Sequence, residues 1–384
     1  MENEKNIEIT PWEVRGSNSP TQSINYEHLI DQFGCQKFTK NLLERIEKIT
    51  GKKANRFFRR NLVFAHRDFN KLLDLVEQGV KFYLYTGRGP SSRNLHIGHT
   101  IPFLLCKSLQ EMFSCPLIIQ LTDDEKFYAK DLSLESVQEY ARENIKDIVC
   151  MGFESRLTHV FINSQKAHRF TANTLKISKM ISIHDVFKVF GFDHSTSIGL
   201  AAFPATEIAP AFSSSFSFLP QQMPCLIPCA VDQDPFFRMA RDKAAALGEQ
   251  KPSLLYVALL PDLRGVNKKM SASDSSSSIF LGDTSSEIAQ KIKKYAFSGG
   301  QQTKLMHQEM GGNTEIDVSY QYLRFFMESD EELEIIKTKY EKGEMMSSEM
   351  KAMAIKEIQK FIGEFQEKRE RITKEEIRKF YEDI

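Results

Sequence analysis

An α/β fold, with an N-terminal α+β cap and an all-α C-terminal domain, is what the sequence predicts. Three observations carry that reading. Apolar runs of strand length recur between residues 82 and 260, with helical periodicities between them. One such run, 82–85, is broken by Gly87, Gly89 and Pro90, and His96-Ile-Gly-His99 then opens an apolar pattern at helical spacing. From Asp317 onward the pattern is helical and charged, and no strand signal remains.

At 384 residues the chain is too long for one ordinary domain. We expect a cap over 1–80, a central α/β domain over 81–285 with a helical insertion at about 125–200 in which 158–162 is the one strand candidate, and a helical domain over 286–384. Hydrophobic residues at 41% and charged residues at 27% describe a soluble globular protein. No apolar run approaches the ~20 residues needed to span a bilayer. The N-terminus, Met-Glu-Asn-Glu-Lys-Asn, is acidic and polar, unlike a secretory or transit peptide, so the expected compartment is the cytoplasm. With 51 basic and 51 acidic residues the net charge is zero, so any nucleic-acid partner must be held by local patches and shape. Cys225 and Cys229 form a C-x3-C pair inside an apolar run with no second pair nearby, which favours buried thiols over a zinc site.

In chain order, residues 9–14 suit a short strand and hold the one tryptophan, Trp12. Residues 26–50 place Leu29, Ile30, Phe33, Phe38, Leu42, Leu43, Ile46 and Ile49 at helical spacing, with Gly51 as the stop. The segment Lys52-Lys-Ala-Asn-Arg-Phe-Phe-Arg-Arg60 interleaves cations with two rings. It reads as a solvated helix face over two core phenylalanines in preference to an RNA-binding patch. His66-Arg-Asp68 opens a further helix that Gly79 ends.

The unit from 82 to 121 reads as strand, helix, strand. Ligands in such units sit at the carboxyl edge of the sheet, where the helix begins and its unpaired N–H groups favour phosphate. His96 and His99 add side-chain donors there, and Gly98 leaves room for a flat base. Polar clusters follow two further strand candidates: Gln120-Leu-Thr-Asp-Asp-Glu125-Lys126, and Asp232-Gln233-Asp234 after the run 225–231. Asp123 and Asp124 suit either a pocket or a helix cap. Glu207 is the one carboxylate in the mostly apolar run 203–210, a position that serves either a helix surface or a ligand. After a strand at 254–260, Lys268-Lys269-Met270-Ser271-Ala-Ser-Asp-Ser-Ser-Ser-Ser278 suits a mobile loop closing over phosphates. His159, His168, His184 and His194 lack metal-ligand spacing and read as structural.

His96-Ile-Gly-His99 and, 173 residues later, Lys269-Met-Ser-Ala-Ser273 together resemble the two signatures of class I aminoacyl-tRNA synthetases. Tyr85-Thr-Gly-Arg-Gly-Pro-Ser-Ser92, Thr122-Asp-Asp-Glu-Lys126, Ala230-Val-Asp-Gln-Asp234, Thr10-Pro-Trp-Glu-Val14 and Tyr295-Ala-Phe-Ser-Gly-Gly300 look like the eukaryotic-type tryptophanyl branch of that family. The similarity runs from about residue 8 to nearly the C-terminus. Two positions depart from the pattern: Ala272 stands where class I enzymes often have lysine, and Glu207 where an amide is expected.

The resemblance implies a Rossmann-like catalytic domain and a C-terminal helical domain that reads the anticodon. It also implies ATP with Mg2+, L-tryptophan and tRNA(Trp) as partners, in a homodimer. It implies catalytic roles for His96, His99, Lys269 and Ser271. Thr86, Arg88, Gly98, Asp232, Lys269 and Met270 would hold ATP, and no metal-ligand set is expected. Tyr85, Gln120, Glu125, Lys126, Glu207 and Gln233 would hold tryptophan, with Tyr85 and Gln120 facing the indole N–H. The rivals are the tyrosine-specific sister enzyme, a small adenylyltransferase using H-x-G-H alone, and a non-catalytic binding protein derived from a synthetase.

Overall fold

The computed structural model describes residues 8–9, 14–15, 24–271 and 276–381. Trp12 and the middle of the serine tract, 272–275, lie outside the described residues. Near the N-terminus β1 (Glu8–Ile9) pairs with β2 (Val14–Arg15). The main sheet is built from β3 (Gln36–Lys37), β4 (Val63–Arg67), β5 (Tyr83–Arg88), β6 (Leu117–Leu121), β7 (Thr158–Ile162), β8 (Cys225–Ala230) and β9 (Ser253–Val257). Its spatial order is β3-β4-β9-β8-β5-β6-β7. The strands from β7 to β9 run parallel, and β4 and β3 add antiparallel at the β9 edge. A hairpin of β10 (Pro261–Asp262) and β11 (Gly265–Lys269) follows.

The chain lays β6 and β7 on one side of β5, then crosses back to put β8 and β9 on the other. Ligands bind at such a switch point because neighbouring connections leave the sheet in opposite directions there. The register widens that crevice. β5 and β8 pair only at Tyr83–Cys225 and Leu84–Leu226, so their carboxyl ends have separated by Tyr85. All five residues of β6 and of β9 are buried, as expected of parallel strands covered on both faces.

Two expectations from the sequence change. The helical pattern at 26–50 is two helices, Tyr26–Phe33 and Lys40–Thr50. Gly34, at φ +61°, ends the first, and the short β3 then pairs with His66 and Ala65 of β4. The basic-aromatic segment keeps its two phenylalanines in the core as expected, but its arginines form neither a solvated face nor an open RNA patch. Phe57 and Phe58 are buried, and the arginines clamp the C-terminal helices. Arg59 Nε and Arg60 Nε both reach Asp330, at 2.5 and 2.7 Å, and Arg56 pairs with Glu328. Helical spacing reports which side chains share a face, and the element that covers that face comes from 270 residues away.

The stretch 125–200 carries β7, which pairs with β6, as well as the helices Leu134–Cys150, Thr171–Met180 and Ile183–Phe190. Cys225 and Cys229 are buried in β8. Beyond residue 316 the described chain forms the helices Val318–Phe326, Asp330–Glu341, Ser347–Arg371 and Lys374–Tyr381. Tyr322, Phe325 and Phe326 on one face and Met350, Ala354, Ile358, Ile362 and Phe365 on another, all at helical spacing in the sequence, are buried, and Phe361 is half-buried. Gly299 is needed where Tyr295-Ala-Phe-Ser-Gly-Gly300 meets these helices. A Cβ there would lie 1.9 Å from the carbonyl oxygen of Asn313.

Candidate active site

His96 has extended backbone and starts the helix Ile97–Phe113, so the tip of that helix points into the crevice. The His96 and His99 rings stack, with centroids 3.4 Å apart and planes 22° from parallel. The His96 backbone N–H donates to His99 Nδ1 at 3.3 Å. Both ring nitrogens of His96 are buried and have no hydrogen-bond partner. Burial, reinforced by the positive charges of Arg88 and Lys269, lowers the His96 imidazole to about 3. The same causes hold His99 well below its ordinary value. The pair is therefore neutral at physiological pH, an array of N–H donors and lone pairs without its own charge.

The second signature reaches this tip. A Cβ on Gly98 would lie 3.0 Å from His96 Nδ1 and 3.4 Å from Met270 Cβ, so the glycine lets tip and loop touch. Lys269 Nζ, at the end of β11, donates to Asp232 Oδ2 at 2.7 Å. Asp232 sits on the turn Val231–Gln233 that leaves β8, and its Oδ1 is buried without a partner. Ser271 is exposed, and its carbonyl accepts from Ser278 Oγ at 2.6 Å. Past the serines the chain returns beside the histidines. Ile97 N–H donates to Ile279 C=O, and Leu281 N–H donates to Leu95 C=O, both at 2.9 Å, around a His96–Phe280 bridge. Sequence reading missed this pairing, whose one signal was the apolar Ile279-Phe280-Leu281 after a polar tract.

At the other end of the crevice Tyr85 Oη donates toward Gln120 Oε1 and the Glu207 carbonyl oxygen, the latter at 2.6 Å. Gln120 Nε2 donates to Asn163 Oδ1 at 2.8 Å, and Asn163 Nδ2 donates to Asp124 Oδ1 at 2.9 Å. Asp123 Oδ1 accepts from the Ser164 N–H at 3.0 Å, so both aspartates tie the helix Asp123–Ala129 to the segment after β7. Glu125 Oε2 and Lys126 Nζ are paired at 2.8 Å under Gly89, where a Cβ would strike the lysine stem. The Glu207 carboxyl is buried and its Oε2 has no partner. Burial, and then the neighbouring Glu125 and Asp124, push it up to about 8. Burial raises Asp124 to about 7 and lowers Arg88 to about 10.

These groups surround a cavity of about 850 Å³. Its wall includes Thr86, Arg88, His96, Gly98, His99, Glu125 and Lys126 from the amino-terminal side of the crevice. Glu207, Asp232, Gln233, Lys269, Met270 and Ser271 complete it. Tyr85 and Gln120 are fully buried just behind the wall, bonded to each other. The wall also holds Phe203, Phe236 and Phe237, which sequence reading did not single out because rings in apolar runs look like core. Phe237 meets Tyr85 edge-to-face at 5.9 Å. Asn144 was missed too. It is buried, accepts from Arg88 Nε at 3.3 Å and donates to the carbonyls of Ser92 and Arg93 at 3.1 Å.

A parallel sheet with its crevice between β5 and β8, histidines on the helix tip and a lysine loop against them define a class I aminoacyl-tRNA synthetase. Residues 77–363 match the model of the tRNA synthetases class I (W and Y), and the chain belongs to that family. Within it, the chain is 54% identical to the tryptophan--tRNA ligase of Encephalitozoon cuniculi over 97% of either chain. It is 48% identical to the cytoplasmic tryptophan--tRNA ligase of Schizosaccharomyces pombe, over 95% of this chain and 94% of that one. The solved structure of an E. cuniculi tryptophanyl-tRNA synthetase bound to tryptophan matches with a TM-score of 0.89, covering 94% of this chain and 98% of that one. No helix among the described residues is long and apolar enough to cross a membrane.

Proposed function

We infer that this enzyme activates tryptophan with ATP to tryptophanyl-adenylate and pyrophosphate, then transfers the tryptophanyl group to the 3′ end of tRNA(Trp). The observation that carries the reading is the meeting of Lys269 and Met270 with the His96–His99 tip around one cavity. The 54% identity to a tryptophan--tRNA ligase along nearly the whole chain supports the amino-acid assignment.

A carboxylate is already a competent nucleophile, so adenylation needs in-line placement and stabilisation of charge growing on phosphate. The neutral rings of His96 and His99 donate to phosphate oxygens without competing for protons. Lys269 supplies the mobile charge, with Ser271 beside it. Arg88, whose Nη2 is buried and unpartnered, offers a second cationic donor. Thr86, Gly98 and Met270 frame the adenosine, and Asp232 accepts from the ribose hydroxyls. Mg2+ enters on the ATP phosphates as part of that substrate.

On the amino-acid side, Glu125, Glu207 and Gln233 face the ammonium and Lys126 the carboxylate. Tyr85 and Gln120 offer polar atoms to the indole N–H from behind Phe237. The helices after residue 286 form the anticodon-reading domain, preceded by a catalytic domain over 81–285 and a cap over 1–80. The enzyme works as a cytoplasmic homodimer.

The family includes tyrosine enzymes as well as tryptophan ones. ATP–pyrophosphate exchange measured in parallel with the two amino acids tests the assignment. Tryptophan is expected to support exchange at least ~100-fold better than tyrosine, since a pocket built on buried polar partners rejects ligands that leave them unpaired. Equal or reversed rates would overturn it.

A further inference from the structure

Near its C-terminal end the helix Ser347–Arg371 bonds to the chain that returns from the lysine loop and to the helix Leu134–Cys150. Arg369 Nε donates to Asp147 Oδ1 at 2.6 Å and Nη2 to Glu143 Oε2 at 2.8 Å, both on the helix Leu134–Cys150. The Leu95 backbone, one residue before His96, faces the buried Asp147 carboxyl and favours its charged form. Three residues earlier on Arg369's own helix, Gln366 Nε2 donates to the carbonyls of Leu281 and Asp283, at 2.8 and 3.0 Å. Leu281 and Leu95 are themselves joined, because the Leu281 N–H donates to the Leu95 carbonyl. One turn before Asp147, Asn144 holds Arg88 and the 92–93 loop.

We propose that Gln366 and Arg369 are positioning residues for adenylation, fixing the histidine tip and the return strand of the lysine loop relative to one another. The argument is geometric. Residues 95–97 and 279–281 form a two-chain strap joined by the two backbone bonds already described, too short to hold its register alone. Gln366 grips one chain of the strap directly, and Arg369 holds the helix Leu134–Cys150, whose Asn144 bonds the 92–93 carbonyls just before the other chain. Both grips come from neighbouring positions on one rigid helix, so the strap's two chains share a common support. A misplacement of the reacting groups by a fraction of an ångström weakens catalysis far more than binding. The proposal rests on the adenylation reading for its kinetic consequence alone, and its structural half stands without it.

The variants are Gln366→Met and Arg369→Gln, with Arg369→Lys as the conservative partner that keeps a charged donor. Amide hydrogen exchange on the full chain is expected to speed up about tenfold at Ile97 and Leu281, while the melting temperature moves little. In pyrophosphate exchange the first two variants should lose roughly tenfold in kcat and bind tryptophan as before, and Arg369→Lys should recover most of the loss. Unchanged protection at Ile97 and Leu281 in stable variants would overturn the proposal. So would a kinetic loss that falls equally on tryptophan binding and kcat, or one that Arg369→Lys fails to restore. A wild-type protein that exchanges tyrosine but not tryptophan would sink the functional reading alone, because the amide measurement involves no turnover.

Discussion

Lys269 Nζ lies 2.7 Å from Asp232 Oδ2, so the signature lysine of the loop and the carboxylate at the end of β8 are partners across the mouth of the cavity. Asp232 is buried and its second oxygen is unpartnered, whereas the lysine is about one-third exposed. A nucleotide entering between the histidine tip and this pair must take the lysine from Asp232 and offer ribose hydroxyls in its place. Removing the lysine is then expected to cost roughly 3–4 kcal/mol of transition-state stabilisation, as the loss of an oxyanion donor does. Lys269→Ala should leave tryptophan binding, measured by equilibrium dialysis, within twofold of wild type while exchange collapses. Asp232→Asn should instead raise the ATP KM, and wild-type exchange in either variant would refute the pairing's role.

Glu207 makes a pH prediction. Its folded value of about 8 stands above the ordinary 4.5, because burial and two nearby carboxylates disfavour the charged form. The folded protein therefore keeps a proton that the unfolded chain has released, and stability falls as pH rises from about 4.5 to 8. Glu207→Gln removes that dependence. By denaturant unfolding, the variant should match wild type near pH 5 and exceed it by roughly 3–5 kcal/mol at pH 9. A substrate ammonium beside Glu207 would favour its carboxylate, so the tryptophan KM should fall between pH 6 and 8 in wild type and stay flat in the variant.

Tyr85→Phe leaves the buried Gln120 Oε1 and the Glu207 carbonyl without their donor. The expected cost is about 1–3 kcal/mol of stability, read from the urea midpoint. A loss of discrimination against other aromatic amino acids should accompany it. A variant as stable and as selective as wild type would show that the phenol serves neither purpose.

Asp330→Ala removes the carboxylate that Arg59 and Arg60 share, leaving two guanidinium groups, four-fifths or more buried, with backbone carbonyls as their partners. We expect roughly 2 kcal/mol of destabilisation. Because the two arginines hold Asp330 below the usual carboxylate range against the opposing effect of its burial, that contribution is present at neutral pH and fades as pH falls through the acid range. An Asp330→Ala melting curve superimposable on wild type at pH 7 would show that the clamp adds nothing.

Much of the site was legible because its chemistry is local. His96, Gly98 and His99 sit on one helix tip, and Lys269, Met270 and Ser271 at one strand end, so local chemistry could propose a phosphate site and the family resemblance could assign the roles. Apolar runs of strand length likewise found β5, β6, β8 and β9, 158–162 was the strand candidate that is β7, and period 3.6 found the buried faces of the C-terminal helices. The arginines at 56–60 misled because a helix pattern names a face without naming its cover.

What the amino-acid order determined by itself was the set of parts: strands that end in polar clusters, a histidine tip, a lysine-serine loop and a helical tail. The tertiary structure alone decided their pairings: β5 parting from β8 after two residues, the strap of 95–97 with 279–281, Lys269 on Asp232, and Gln366 and Arg369 behind the site. The physical reason is range. Hydrogen-bonding and hydrophobic periods are fixed within a few residues, whereas burial and charge pairing join groups that only the closed sheet brings within a few ångströms.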